Sequence, residues 1–193
     1  MITRPDPSPA RPAPSPAEVI EFWFSGKGRG CWFNSTPELD GFIKSRYEYL
    51  WQSACNNHLL AWQNSAEGCL ALAIIFDQFP LNMFRGLAES FSSESQAVAI
   101  THLAVESDFD KAISYEKLAF LYVPLMHSEN LNDQELSVKL FTENKLSRNI
   151  RYAIHHRDLI KKFGRFPHRN IILGRESTVQ EIEYLNSKQA FLG

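Results

Sequence analysis

The chain has 193 residues with 20 Lys and Arg against 22 Asp and Glu, so its size fits one domain and its net charge of −2 excludes a uniformly basic nucleic-acid or membrane-surface binder. Hydrophobic residues make up 44% and aromatic ones 12%, enough to fill a core without disulfide or metal staples. The three cysteines, Cys31, Cys55 and Cys69, form no C-x-x-C; this argues against a disulfide framework, a cysteine zinc site and the zinc-deaminase signature, and they read as reduced core residues. No apolar run nears the roughly 20 residues of a membrane span, and the N-terminus lacks the apolar stretch of a secretory signal. A cytoplasmic protein with no membrane partner is the expectation.

Residues 1–16 carry six of the ten prolines and are expected to form a disordered or extended tail ahead of a single domain over 17–193. Ser15-Pro16-Ala17-Glu18 is a capping box with proline at the first helical position, so a helix of about ten residues follows, with Val19, Phe22 and Trp23 inward. It should stop at Gly26-Lys27-Gly28-Arg29-Gly30. That stretch lacks the G-K-[ST] ending and the preceding strand of a phosphate loop, so a flexible loop is expected. Thr36-Pro37 opens a second helix, with Leu39, Phe42, Ile43, Tyr47, Leu50 and Trp51 at helical spacing. Ser65 opens a third that Pro80 should end after Phe79. Ser93 with Gln96 caps a fourth, residues 115–126 form a fifth with Pro124 near its end, and Asn132 with Glu135 caps a sixth. Ser147 caps a seventh ending at Gly164, a natural left-handed terminator, and Thr178 with Glu181 caps a short eighth. With no runs of alternating β-branched residues, the fold class is all-α, about eight helices in antiparallel pairs.

Polar residues placed where a helix should be apolar mark candidate sites. The stretch from Leu70 to Phe79 is apolar all round except Asp77 and Gln78, so Asp77 needs a partner, and nearby Arg85 is the expected one. The apolar helix before His127-Ser128-Glu129 ends in polar residues, where a helix C-terminus favours a cation. On a wheel of residues 148–163, Arg148, Arg151, His155, Asp158 and Lys162 share the solvent arc, while Tyr152 and Ile154 fall on the apolar side and His156 and Arg157 point inward. The loop Arg165-Phe166-Pro167-His168-Arg169-Asn170 is rich in donors, and Arg175 follows. Residues 145–175 hold nine Lys and Arg against Asp158 alone, +8, leaving −10 on the remainder.

These segments carry a resemblance. Phe76-Asp77-Gln78-Phe79-Pro80-Leu81-Asn82-Met83-Phe84-Arg85-Gly86, with Phe76 where leucine is usual, is similar to one hallmark of a mainly bacterial domain family of unknown function, number 924 among such families. Pro124-Leu125-Met126-His127-Ser128-Glu129 with Asp133-Gln134 resembles a second. His156-Arg157-Asp158, Phe163 to Asn170 and Leu173 to Thr178 resemble a third, and Glu21-Phe22-Trp23-Phe24 fits too. The resemblance spans about residues 17–192. It implies an all-α fold similar to tetratricopeptide-repeat proteins and no established activity.

Three functional expectations follow. The first is a helical scaffold binding an anionic small molecule or peptide, with Arg157, Arg169 and Arg175 offering guanidinium forks. The second is a hydrolase-like enzyme using Asp77, His127, Glu129, His156 and His168 as acid–base groups. The third is a structural protein in which Asp77, Arg85, Glu129, Arg157 and Arg169 form a buried ion network. The candidate ligand-binding set is Asp77, Arg85, His127, Glu129, His156, Arg157, His168, Arg169, Asn170 and Arg175. The acidic remainder argues against nucleic acid. H-E-x-x-H and G-x-S-x-G are absent, and no metal or cofactor is expected.

Overall fold

A computed structural model of the chain describes residues 14–32 and 35–192. Of the proline-rich segment 1–16, residues 1–13 lie outside the described residues, while Ser15 and Pro16 already belong to the first helix and its cap. Helix α1 (Pro16–Phe24) starts with the full capping box: Ser15 Oγ accepts from the Glu18 N–H, and the Glu18 carboxylate accepts from the Ser15 N–H at 2.8 Å. The glycine-rich stretch is not a loose loop. Ser25 Oγ caps a single turn, α2 (Gly26–Arg29), by accepting from the Gly28 N–H at 3.2 Å. Gly28 lies so close to the Phe22 and Trp23 carbonyls that no Cβ fits there.

Helix α3 (Pro37–Cys55) is capped by Thr36 and buries Ile43, Tyr47, Leu50 and Ala54. The Ser65-capped helix corrects one expectation, because Pro80 does not end it. After α4 (Ala66–Ala73) the chain makes a π-helical turn over Ile74–Gln78 and continues as α5 (Phe79–Met83) with Pro80 inside it. A proline costs a helix one N–H and crowds the carbonyl four residues back. The wider π turn eases that crowding, and the carbonyl left without a proline N–H, that of Phe76, accepts from Ser93 Oγ at 2.6 Å. Ser93 also accepts from Trp51 Nε1 at 2.9 Å. It therefore sits at the N-cap of α6 (Glu94–Glu106) without making the expected capping bond.

Helices α7 (Tyr115–His127), α8 (Leu131–Glu143), α9 (Ser147–Phe163) and α10 (Val179–Leu185) complete the set. The eight expected helices are present, the third divided by its π turn, with α2 in addition, and no strand occurs among the described residues. Two more caps differ from expectation. Asn130, not Asn132, caps α8, its Oδ1 accepting from the Asn132 N–H at 2.8 Å, which leaves Glu135 for ion pairs. Leu146 holds the cap position of α9, with Ser147 its first helical residue. Gly164 terminates α9 at φ 71°, and Thr178 and Glu181 form the second complete capping box.

Helices α6 to α9 pack neighbour on neighbour, and α7 also touches α4. That central position explains why α7 is apolar on nearly every side. The main core gathers Trp23, Tyr47, Phe79, Tyr122 and Phe141. A smaller cluster of Leu159, Ile160 and Phe166, flanked by Phe163, Tyr184 and Phe191, seats the C-terminal segment. Cys31 and Cys69 are buried, Cys55 is half-buried, and all three are free thiols. Burial pushes the Cys69 thiol up to about 11. No helix among the described residues is long and apolar enough to cross a membrane.

Candidate functional site

The site lies where the π turn meets the C-terminal end of α7. Asp77, 4% exposed, is presented by the π turn, and His127 is the last residue of α7. Asp77 Oδ1 and His127 Nδ1 are 2.7 Å apart, and Gln78 Nε2 donates to Oδ2 of the same carboxylate. Both oxygens of a buried carboxylate are thereby satisfied. With Nδ1–H held by the carboxylate, the imidazole keeps Nε2 for other partners. Asp77, Glu94, His127 and Arg169 line a small cleft with Phe76, Leu81, Ser90 and Phe91. The cleft volume is about 10 Å³, room for one water molecule.

Arg169 closes this corner from the other side. Its Nη1 donates to Glu94 Oε2 at 2.7 Å and its Nη2 to the His127 carbonyl at 2.9 Å. The guanidinium lies 4.5 Å from the Phe91 ring and 4.6 Å from the Phe166 ring. One arginine thus caps a helix C-terminus, pairs a carboxylate and stacks on two aromatics. Burial raises the proton affinity of Glu94, with the positive charge of Arg169 opposing it. Gln134 Nε2 donates to the Met126 and Ser128 carbonyls at 2.7 and 2.6 Å, so two further carbonyls at this helix end are held as well.

A second layer packs outside. Glu129 accepts from Arg175 Nη1 at 2.6 Å, from Arg175 Nη2 at 2.9 Å and from the Phe166 N–H at 2.8 Å. Burial alone would raise its pKa, but the Arg175 and Phe166 donors prevail and hold it below the usual range. His156 is buried, donates Nδ1–H to the Tyr152 carbonyl at 2.8 Å, and is pushed down to about 3, chiefly by burial. His168 is pushed down to about 4 by burial and by the Arg169 charge. The two imidazoles flank Phe166 and Phe191. Asn170 Nδ2 donates to Ser177 Oγ at 3.0 Å. Arg165 grips Glu181 with Nε and Nη2 at 2.7 and 2.8 Å, and this fork is the leading cause that lowers Glu181 to about 2.

The structure thus brings together Asp77, His127, Glu129, His156, His168, Arg169, Asn170 and Arg175. It places the other two candidates elsewhere. Arg85 pairs with Asp40 at 2.8 Å rather than with Asp77, because the π turn aims the Asp77 carboxylate at α7. Arg157 lies on the α8 side of α9, where Glu135 and its own neighbour Asp158 take it. Tyr152 and Ile154, placed on the apolar arc by the wheel, are 49% and 37% exposed, because the neighbours of α9 do not cover that arc completely. Glu94 and Glu181 were not singled out by the sequence: each sits in the first turn of a helix, where an acid reads as a capping residue. The guanidiniums of Arg157, Arg169 and Arg175, expected to grip an anion, each face a carboxylate of the chain itself. Among the described residues no three His, Cys, Asp or Glu side chains gather closely enough to hold a metal ion.

Comparison with known proteins agrees with the fold. The structure of a protein of unknown function, ATU0120 from Agrobacterium tumefaciens, superposes with a TM-score of 0.83 at 34% identity, covering 89% of this chain and 96% of that one. No curated protein matches the chain. The sequence profile described as "Bacterial protein of unknown function (DUF924)" matches residues 19–189, which include the π turn, the end of α7 and the arginine-rich loop. The chain therefore belongs to the DUF924 family of bacterial proteins of unknown function.

Proposed function

We propose that the cleft at the end of α7, which has room for one water, is an acid–base site of a hydrolase-like enzyme whose small polar substrate meets that water at the cleft mouth. Asp77 orients the imidazole, and His127 Nε2 takes a proton from a water or hydroxyl at the cleft and returns it to the leaving group. The observation that carries this reading is the 2.7 Å contact between a buried carboxylate and a histidine that lines a cleft. Glu94, on the same cleft and with a raised proton affinity, is the second proton carrier. Three cysteines without a disulfide support a reducing, cytoplasmic setting for this chemistry. The test is a panel of small ester, amide and phosphoester substrates, assayed with the native chain and with His127→Gln. Turnover that falls by a factor of about 10² to 10⁴ in the variant, with the melting temperature preserved, supports the site. Absence of turnover across the panel, or full activity in His127→Gln, overturns it.

A second reading, a scaffold binding an anionic small molecule through Arg169 and Arg175, has its own support. Nε of both arginines and Nδ1 of His168 are buried without a protein partner. A phosphate or carboxylate ligand at 100 times its Kd would add about 2.7 kcal/mol of stability. Thermal shifts in phosphate, citrate and acetate at constant ionic strength check this, and a flat response removes the reading.

A further inference from the structure

We propose that the outer face of α9 is a separate docking site for an acidic peptide segment of a partner protein, one that carries an apolar side chain between its carboxylates. The basic residues of this segment divide into two groups. Arg157 and Lys161 meet Glu135, Arg165 meets Glu181, Arg169 meets Glu94 and Arg175 meets Glu129. Lys145, Arg148, Arg151 and Lys162 are exposed, and among the described residues no carboxylate pairs with any of them. Asp158, the acid on α9, is held by Arg157. The ion pairs therefore neutralise the inner part of the basic segment and leave its uncompensated charge on the outer face of α9.

An apolar groove runs beside that charge. Its volume is about 280 Å³, and Arg151, Tyr152, His155, Ala190 and Phe191 line it. The Arg151 guanidinium stands 5.3 Å from the Tyr152 ring centre, and Tyr152 is 49% exposed. The Phe191 ring is backed by His156 and His168, so the floor is a fixed aromatic surface. A floor of this size seats about one large side chain, and the flanking guanidiniums suit carboxylates on either side of it. The charge of the lining is positive with no acid among the lining residues, so the complement is negative. A short peptide matches these dimensions. The −10 carried by the residues outside 145–175 disfavours a longer polyanion such as a nucleic-acid strand.

The test is fluorescence polarisation of the full chain with a labelled Glu-Asp-Phe-Asp-Glu peptide. The controls are the same peptide with Ser for Phe, a Lys-for-acid version, and a single-stranded oligonucleotide of equal charge. Saturable binding of the acidic Phe peptide is expected, weakened at least tenfold by Arg151→Glu and by Arg148→Glu. Both side chains are exposed, so both variants should keep the native melting temperature. Substituting Ser for Phe in the peptide should also weaken binding, which separates a docking site from general charge attraction. No binding, binding unchanged in Arg151→Glu, or tighter binding of the oligonucleotide would overturn the proposal.

Discussion

Arg169 and Arg157 lie twelve positions apart in the same basic segment, yet their surroundings differ. Arg169 is 6% exposed, and its partner Glu94 is partly buried. Removing one member of a buried pair strands the other, so Arg169→Met should cost about 3–5 kcal/mol, read as a drop in urea midpoint. A double change with Glu94→Gln should recover part of that loss. Arg157 meets a half-exposed Glu135, and Arg157→Met should cost less than about 1 kcal/mol. The sequence wheel gave both histidines of α9 their relative depth, His156 buried and His155 less so, because helical angle is a local property. It turned Arg157 away from solvent but did not find its partner, because a wheel states direction and not what lies in that direction. Here α8 supplies Glu135, and no pattern inside α9 reveals it.

Elements show the same division between local and distant causes. The capping boxes at Ser15 and Thr178 and the stop at Gly164 were legible because every atom involved lies within a few residues. The role of Ser93 was not legible: it serves a carbonyl 17 positions away, and it does so because Pro80 has no N–H to offer. Ser93→Ala should strand the buried Phe76 carbonyl and the Trp51 indole together, at a cost of about 1–3 kcal/mol for each group left unsatisfied. Equilibrium unfolding checks this, and the alanine should be tolerated without change of helix content by circular dichroism. Gly28→Ala is expected to destabilise as well, since its Cβ would meet backbone rather than a movable side chain. The candidate site was half legible for a related reason. Asp77, His127 and Arg169 stand out as polar residues beside apolar runs, whereas Glu94 is hidden at a helix start, where acids are ordinary.

For the whole molecule, acid should be the weak side. His156 and His168 are held neutral in the folded chain, at about 3 and about 4, against 6.5 in an unfolded one. Between these limits the unfolded state binds more protons, so stability rises with pH and falls as pH drops below about 6.5. Each histidine contributes a slope of up to about 1.4 kcal/mol per pH unit within its window. The melting temperature should therefore fall steadily from pH 7 toward pH 4, and His156→Gln should flatten the curve. A melting temperature independent of pH across that range would contradict the buried, neutral assignment. The charge of −2 describes neither region, since its +8 portion is largely folded against acids drawn from the −10 remainder.

The π turn over Ile74–Gln78 also sets an angular phase. One extra residue within a helix advances everything after it by about 100° relative to everything before it. Leu70 to Ala73 are buried upstream, and Phe79, Pro80 and Asn82 are buried downstream, so both halves depend on that offset. Deleting Ile75 would restore a uniform helical phase and rotate Asp77 away from His127 in the same step. Replacing Ile75 with valine would leave the phase intact. Length, more than composition, is thus the constraint on this stretch, and relatives of this chain should vary in residue type here before they vary in residue number.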